Sequence, residues 1–474
     1  MRFKTLLALA LAAAPLAATP AFAQAEEKVF KAGTSLSNIT PWYGTSLAGS
    51  MSDRVATSIN DELYVRSFVL DDGATTLAIA LVDACMVERE YVDAGKARAS
   101  EATGIPMENM LVAATHSHSA GTCAHIFQSD ADPEYTTFVS RRIGDGITAA
   151  WQNRVPARIG WGSGSVPDEV FNRRWHLKEG AMSENPFGRN DDKVRMNPPR
   201  ASDDLIKPAG PIDPEVAILA LETVEGKPLG LLANYSLHYV GGVPGVSGDY
   251  FAVFANRIAE LLKARDTFVA SMSNGTSGDI NNINFAVPAE ERGSGEQMIL
   301  VGNKVAAEVL RAYSYIAFQD WVPLAAAQKE ITVGIRKPTP EEVEEARALL
   351  AAAKSENREL RGLREIYANC TVDLAEYPDT DDLILQALQI GDLGIAAIPC
   401  EVFVEIGLAI KDQTPFKQSF TIELANGYNG YLPTEAQHAL GGYETWRAKS
   451  SRLEVTAANV IQQTVIDLLN ELKQ

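Results

Sequence analysis

Apolar residues fall in short, dense runs broken by Gly, Pro, Asp and Asn, and these runs predict strands alternating with helices. Residues 64–70, 76–82, 109–114, 216–221, 229–235, 268–272, 383–390, 394–399 and 420–425 read as strands. Several lack strict alternation, which suits sheets covered on both faces. Residues 134–151, 250–265 and 296–315 carry apolar positions at three- and four-residue spacing and predict amphipathic helices. The stretch "TPEEVEEARALLAAAKSENRELRGLREIYAN" predicts a surface helix, with Thr339 as cap, Pro340 in the first turn and Glu342 closing a capping box. A last helix is expected over 456–472. The segment 178–211, rich in Pro, Asn, Asp and Arg, predicts a lid or rim loop. No repeat or linker interrupts the pattern. The expectation is one α/β domain over residues 24–474, with mixed β-sheets flanked by helices.

Composition narrows what such a domain does. The first residues, "MRFKTLLALALAAAPLAATPAFAQAEE", combine a basic lead, an apolar run broken by Pro15 and a small-x-small site at Ala21–Ala23. Residues 1–23 therefore predict a cleaved signal peptide and a periplasmic or secreted protein, with no transmembrane segment. The formal charge of −19 and the lack of a basic run argue against nucleic acid as a partner. The four cysteines, Cys85, Cys123, Cys370 and Cys400, permit up to two disulfides in an oxidising compartment, and none forms a CxxC pair.

Polar clusters follow the apolar strands, as in α/β enzymes whose sites gather beyond strand C-termini. Three of the six histidines lie in "LVAATHSHSAGTCAHIF". If the strand continues, His116 and His118 share a face like two ligands of one metal; if the backbone turns, one binds and the other assists. A hydrogen-bonded structural pair fits the same pattern, and His125 reads as structural or rim. In "ANYSLHYVGG" His238 leaves a strand into a Gly-rich loop, and Asp249 beyond it reads as a helix N-cap. Glu401 in "IPCEVF" is a cap-region charge or a metal ligand. Tyr428 and Tyr431 in "NGYNGYLPT" are ligands or an aromatic turn. Asn274 and Asp279 in "SNGTSGDIN" fit an oxyanion-binding turn or a plain polar one, and Arg173 in "FNRR" fits carboxylate or oxyanion binding.

In chain order, "AGTSLSNITP", "LYVRSFVLDDG", "ATHSHSAGT", "FNRR", "SGDYFAVFAN", "NGTSGDIN", "IPCE" and "NGYNGYLPT" resemble the catalytic domain of the neutral/alkaline (non-lysosomal) ceramidase family. The resemblance implies a Zn2+ ion held by His116, His238, Glu401 and Tyr431, with Tyr428 the other tyrosine available. It implies catalytic roles for His118, Arg173 and Tyr428, and substrate binding by Asn172, Asn274 and Asp279. The implied activity is hydrolysis of an amide (N-acyl) bond in a small-molecule or lipid-like substrate. Two departures accompany it: Gly275 stands where the family carries a serine, and the family's Ig-like C-terminal domain is not expected here. The same cage acting on a carbohydrate or uronic acid, as lyase or glycan hydrolase, is the alternative, with Arg173 binding carboxylates. A non-catalytic secreted binding protein is the third reading.

Overall fold

A computed structural model of the chain describes Met1 and residues 28–265, 267–356 and 358–473. Apart from Met1, the predicted signal peptide thus lies outside the described residues. Two sheets stack face to face, with helices over both outer faces.

The larger sheet has eight strands: β1 (Lys31–Asn38), β2 (Tyr64–Asp71), β3 (Thr76–Val82), β4 (Met110–Ala114), β5 (Val155–Ser165), β6 (Glu215–Thr223), β7 (Pro228–Tyr235) and β8 (Val269–Asn274). Their order is β8-β7-β6-β5-β1-β2-β3-β4. The smaller sheet runs β9 (Leu324–Gly334), β10 (Thr380–Ile390), β11 (Leu393–Ala397), β12 (Gln418–Ile422). The pleat sends alternate side chains to opposite faces, and strands such as β3, β4, β7 and β11 are buried on both. Leu77, Ile79 and Leu81 of β3 meet Leu388, Ile395 and Phe420 of the smaller sheet. Ala78, Ala80 and Val82 of the same strand face the helices α1 (Arg89–Thr103) and α2 (Pro133–Gln152). Helices α3 (Asp249–Leu261) and α4 (Glu296–Tyr313) cover β6 to β8. Two-sided burial is why the strands read as nearly continuous apolar runs.

The long charged stretch folds as two helices, α5 (Pro340–Glu356) and α6 (Gly362–Ala375), not one. The second helix opens on Gly362, whose φ of 67° is left-handed. The capping box forms as expected: the Glu342 N–H donates to Thr339 Oγ1 at 3.3 Å, and the Thr339 N–H to Glu342 Oε2 at 2.8 Å. Helices α7 (Val404–Gln413), α8 (Glu435–His438) and α9 (Ala457–Leu472) follow, and α7 and α9 pack on the outer face of the smaller sheet. The expected lid loop carries structure of its own. Val194–Met196 and Leu205–Pro208 flank Arg174–Leu177 in a three-stranded antiparallel sheet. No disulfide forms, and all four cysteines are buried free thiols. No helix among the described residues is long and apolar enough to cross a membrane.

Three strand pairs are parallel: β3 with β4, β7 with β8, and β11 with β12. Parallel neighbours end side by side, so each pair delivers two loops to one place. Those three places meet.

Candidate metal centre

Beyond β4 the backbone does not continue as strand. His116 adopts φ 75°, a left-handed conformation strained for a residue with a Cβ, while its N–H donates to the Ala84 carbonyl beyond β3 at 2.8 Å. The turn nevertheless brings both histidines inward. His116 Nε2 lies 3.2 Å from His118 Nε2 and 3.1 Å from His238 Nε2, which arrives from the end of β7. Glu401 follows β11, and Glu401–Val402 pairs in parallel with Tyr431–Leu432. Its Oε2 stands 3.4 Å from His116 Nε2.

The far sides of the three rings decide what these close approaches mean. Nδ1 faces a backbone carbonyl in each case: Cys85 O at 2.7 Å for His116, Gly49 O at 2.8 Å for His118, and Ser277 O at 3.3 Å for His238. A carbonyl only accepts, so each neutral ring carries its proton on Nδ1. The Nε2 atoms of His116 and His238 then face one another beside Glu401, whose Oε2 is buried without a hydrogen-bond partner, and His118 Nε2 turns to His116. That arrangement is repulsive unless a cation sits among the lone pairs. Burial opposes protonation of His116, but Cys85 and Glu401 outweigh it and hold the ring well above the ordinary histidine range. Burial, followed by the charge of His116, presses His118 and His238 well below that range.

A zinc ion fits the spacing. Two nitrogens about 2.05 Å from a tetrahedral zinc lie about 3.3 Å apart, and an oxygen ligand falls at a similar separation. His116, His238 and Glu401 present donor atoms all within 4.8 Å of one another, and all three are buried. His118 groups instead with Cys85 and His116. It stands to one side, stacked on Tyr239 with ring centroids 3.6 Å apart.

The two tyrosines divide. Tyr428 Oη donates to Glu401 Oε1 at 3.0 Å. Tyr431 Oη accepts from Arg173 Nη2 at 3.1 Å. Arg173 also donates from Nε to Glu444 Oε1 at 2.8 Å and from Nη2 to the Gly278 carbonyl at 2.8 Å. Its guanidinium is therefore committed within the protein, which removes the support it lent to carboxylate binding. Asn172 and Asp279 are joined to each other, Asn172 Nδ2 donating to Asp279 Oδ2 at 2.7 Å, and Asp279 Oδ1 accepts the Val404 N–H at the start of α7. Asn274 ends β8 fully buried, with neither side-chain atom hydrogen-bonded. His125 is exposed and paired with Asp130, as a rim residue. Asp249 is the first residue of α3 rather than its N-cap, which is Gly248; its carboxylate accepts the Val240 and Gly241 N–H groups and so fixes the loop beyond His238. Gly275 has a packing reason, because a Cβ there would lie 2.5 Å from Ser236 Oγ.

A narrow cleft of about 70 Å³ opens on the cluster, lined by Met51, Met86, Phe127, Tyr428, Tyr431 and Tyr443 with His116, His118 and Glu401. A second groove shares Met51 and Tyr443 with it and continues along Met182, Val194, Met196, Leu363 and Trp446. Several of these residues escape a reading of the sequence. Glu423 is the clearest: it is fully buried, accepts the Val402 N–H at 2.7 Å and the Ser277 hydroxyl at 2.6 Å, and lies inside an apolar strand run. A lone acid within such a run was the available signal, since a buried carboxylate must find donors.

No family model matches the chain, and no curated protein matches it. Among solved structures, the neutral ceramidase from Pseudomonas aeruginosa matches with a TM-score of 0.69 at 18% identity, covering 94% of this chain and 75% of that one. A ceramidase complexed with C2 matches with the same score and identity, covering 94% and 76%. At that identity the likeness establishes the fold, a ceramidase-like α/β architecture.

Proposed function

We propose that this protein is a zinc-dependent hydrolase that cleaves an amide (N-acyl) bond in a lipid-like substrate, acting in the periplasm or outside the cell after loss of residues 1–23. The observation that carries the reading is the gathering of buried donor atoms from His116, His238 and Glu401 within 4.8 Å of one another, with Glu401 Oε2 left unpartnered and both rings turning Nδ1 to a backbone carbonyl. His116, His238 and Glu401 would hold the ion, with Tyr431 as fourth ligand. Tyr431 suits that place better than Tyr428, because its oxygen accepts from Arg173, whose charge offsets part of the burial that raises the phenol, whereas the Tyr428 proton is committed to Glu401. When bound, zinc supplies a Lewis acid and a water of lowered pKa.

The chain's own groups supply the rest. His118 is held neutral by burial, with Nε2 facing the cluster, and is placed to take a proton and return it to a leaving amine. Arg173, committed to Glu444, the Gly278 carbonyl and Tyr431, orients the Tyr431 hydroxyl at the cluster. The methionine- and aromatic-lined groove beside the cleft suits an apolar chain. The fold likeness to neutral ceramidases supports the same substrate class by analogy. The test is release of free fatty acid and amine from N-acyl amides of graded chain length, followed by mass spectrometry. Turnover lost to a chelator and restored by zinc is expected. Turnover of oligosaccharides alone would overturn the reading.

A further inference from the structure

Glu423 lies outside the cluster yet touches the supports of two of its members. It sits just beyond β12 and accepts three donors: the Val402 N–H at 2.7 Å, the Ser277 N–H at 3.2 Å and the Ser277 hydroxyl at 2.6 Å. Val402 follows Glu401 directly. Ser277 is the residue whose carbonyl faces His238 Nδ1 at 3.3 Å and whose Oγ stands 3.5 Å from the same nitrogen. With its own proton committed to Glu423, the Ser277 hydroxyl can only offer a lone pair to His238. Both oxygens of Ser277 thereby act as acceptors on the Nδ1 side of the ring.

We propose that Glu423 is a positioning residue for the metal centre, acting through Ser277 to fix the tautomer and orientation of His238 and through the Val402 N–H to fix the approach of Glu401. This rests on the zinc reading above and adds to it a carboxylate–hydroxyl–imidazole relay. All three of these contacts donate to Glu423, so its two oxygens serve as acceptors in the network. Carboxylates behind metal-bound histidines raise ligand basicity, and losing such a group typically weakens metal binding by about 10–100-fold. Glutamine at 423 keeps the shape but turns an amide N–H toward one of these donors. Alanine at 277 removes the hydroxyl and keeps the carbonyl.

The experiment is zinc affinity, by competition with a chromophoric chelator, for the wild type, Glu423→Gln, Ser277→Ala and the double variant, with Tm recorded for each. Tight binding by the wild type tests the zinc reading itself; its absence overturns that reading whatever the variants do. Given wild-type binding, a loss of about 10-fold or more in Glu423→Gln is expected. A smaller loss is expected in Ser277→Ala, with the double variant no weaker than Glu423→Gln alone. If Glu423→Gln is too unstable to purify, Ser277→Ala carries the test by itself. Wild-type affinity in either single variant, or fully additive losses, would overturn the relay.

Discussion

Replacing Glu444 by Gln probes the ion network that holds the site's far wall. The Glu444 carboxylate is fully buried between two guanidinium groups, accepting from Arg173 Nε at 2.8 Å and from Arg174 Nη1 at 2.7 Å. Both arginines are buried as well. Glutamine leaves a net buried charge, and breaking a buried pair from one side costs about 3–5 kcal/mol. Unfolding entropy near 2.1 cal/mol/K per residue, over about 450 residues, gives about 0.9 kcal/mol/K, so the expected loss in Tm is about 3–5 °C. The pH dependence follows from the same geometry. Burial opposes ionisation of Glu444, but Arg174 and Arg173 outweigh burial and hold its carboxyl below the ordinary range. A depressed carboxyl contributes its stability above the unfolded pKa, about 4.3, and loses it as pH falls through the folded value. The gap in Tm between wild type and Glu444→Gln is therefore constant near neutrality and narrows below about pH 4. Scanning calorimetry across pH 3–8 measures it. A gap under about 1 °C at pH 7, or one that widens in acid, would refute the reasoning.

Gly49→Ala places a Cβ 2.3 Å from the His118 ring at a backbone φ of 97°, so turnover should fall by about 10-fold or more while the fold survives; steady-state kinetics with circular dichroism check this. Tyr431→Phe should lower zinc content under dialysis more than Tyr428→Phe, and equal retention in both would remove Tyr431 as a ligand. Thr339→Ala opens the capping box of α5 at a cost of about 1 kcal/mol, a shift of about 1 °C, with unchanged kinetics.

Much of this architecture is legible in the chain, and the exceptions have physical causes. The runs over 64–70, 76–82 and 229–235 are apolar on both faces because both faces are covered, and they form β2, β3 and β7. Strands β1 and β5 pass unnoticed because they carry glycine and serine: Gly33 lies against the α2 C-terminus, and Gly160 against Ile316, where a side chain would collide. Helix α1 is obscured by a weakly amphipathic, charged sequence that nevertheless buries Lys96 onto Asn426. In the site, His116, His238 and Glu401 were visible as polar residues ending apolar strands. What links them was not, because Cys85, Gly49 and Ser277 contribute backbone carbonyls, which no side-chain pattern encodes. Glu444 was hidden for a related reason: its significance depends on Arg173 and Arg174, some 270 residues away in the chain. The disulfides that the cysteine count permits do not form: Cys370 and Cys400 lie in separate apolar clusters, and Cys85 and Cys123 share a third as free thiols.

The central claim, that His116, His238 and Glu401 hold one catalytic metal ion, is tested most directly by elemental analysis of the purified protein after exhaustive dialysis, alongside His238→Ala. The account predicts about one zinc per chain in the wild type and essentially none in the variant. A wild type without bound metal, or a His238→Ala variant that retains it, would contradict the account.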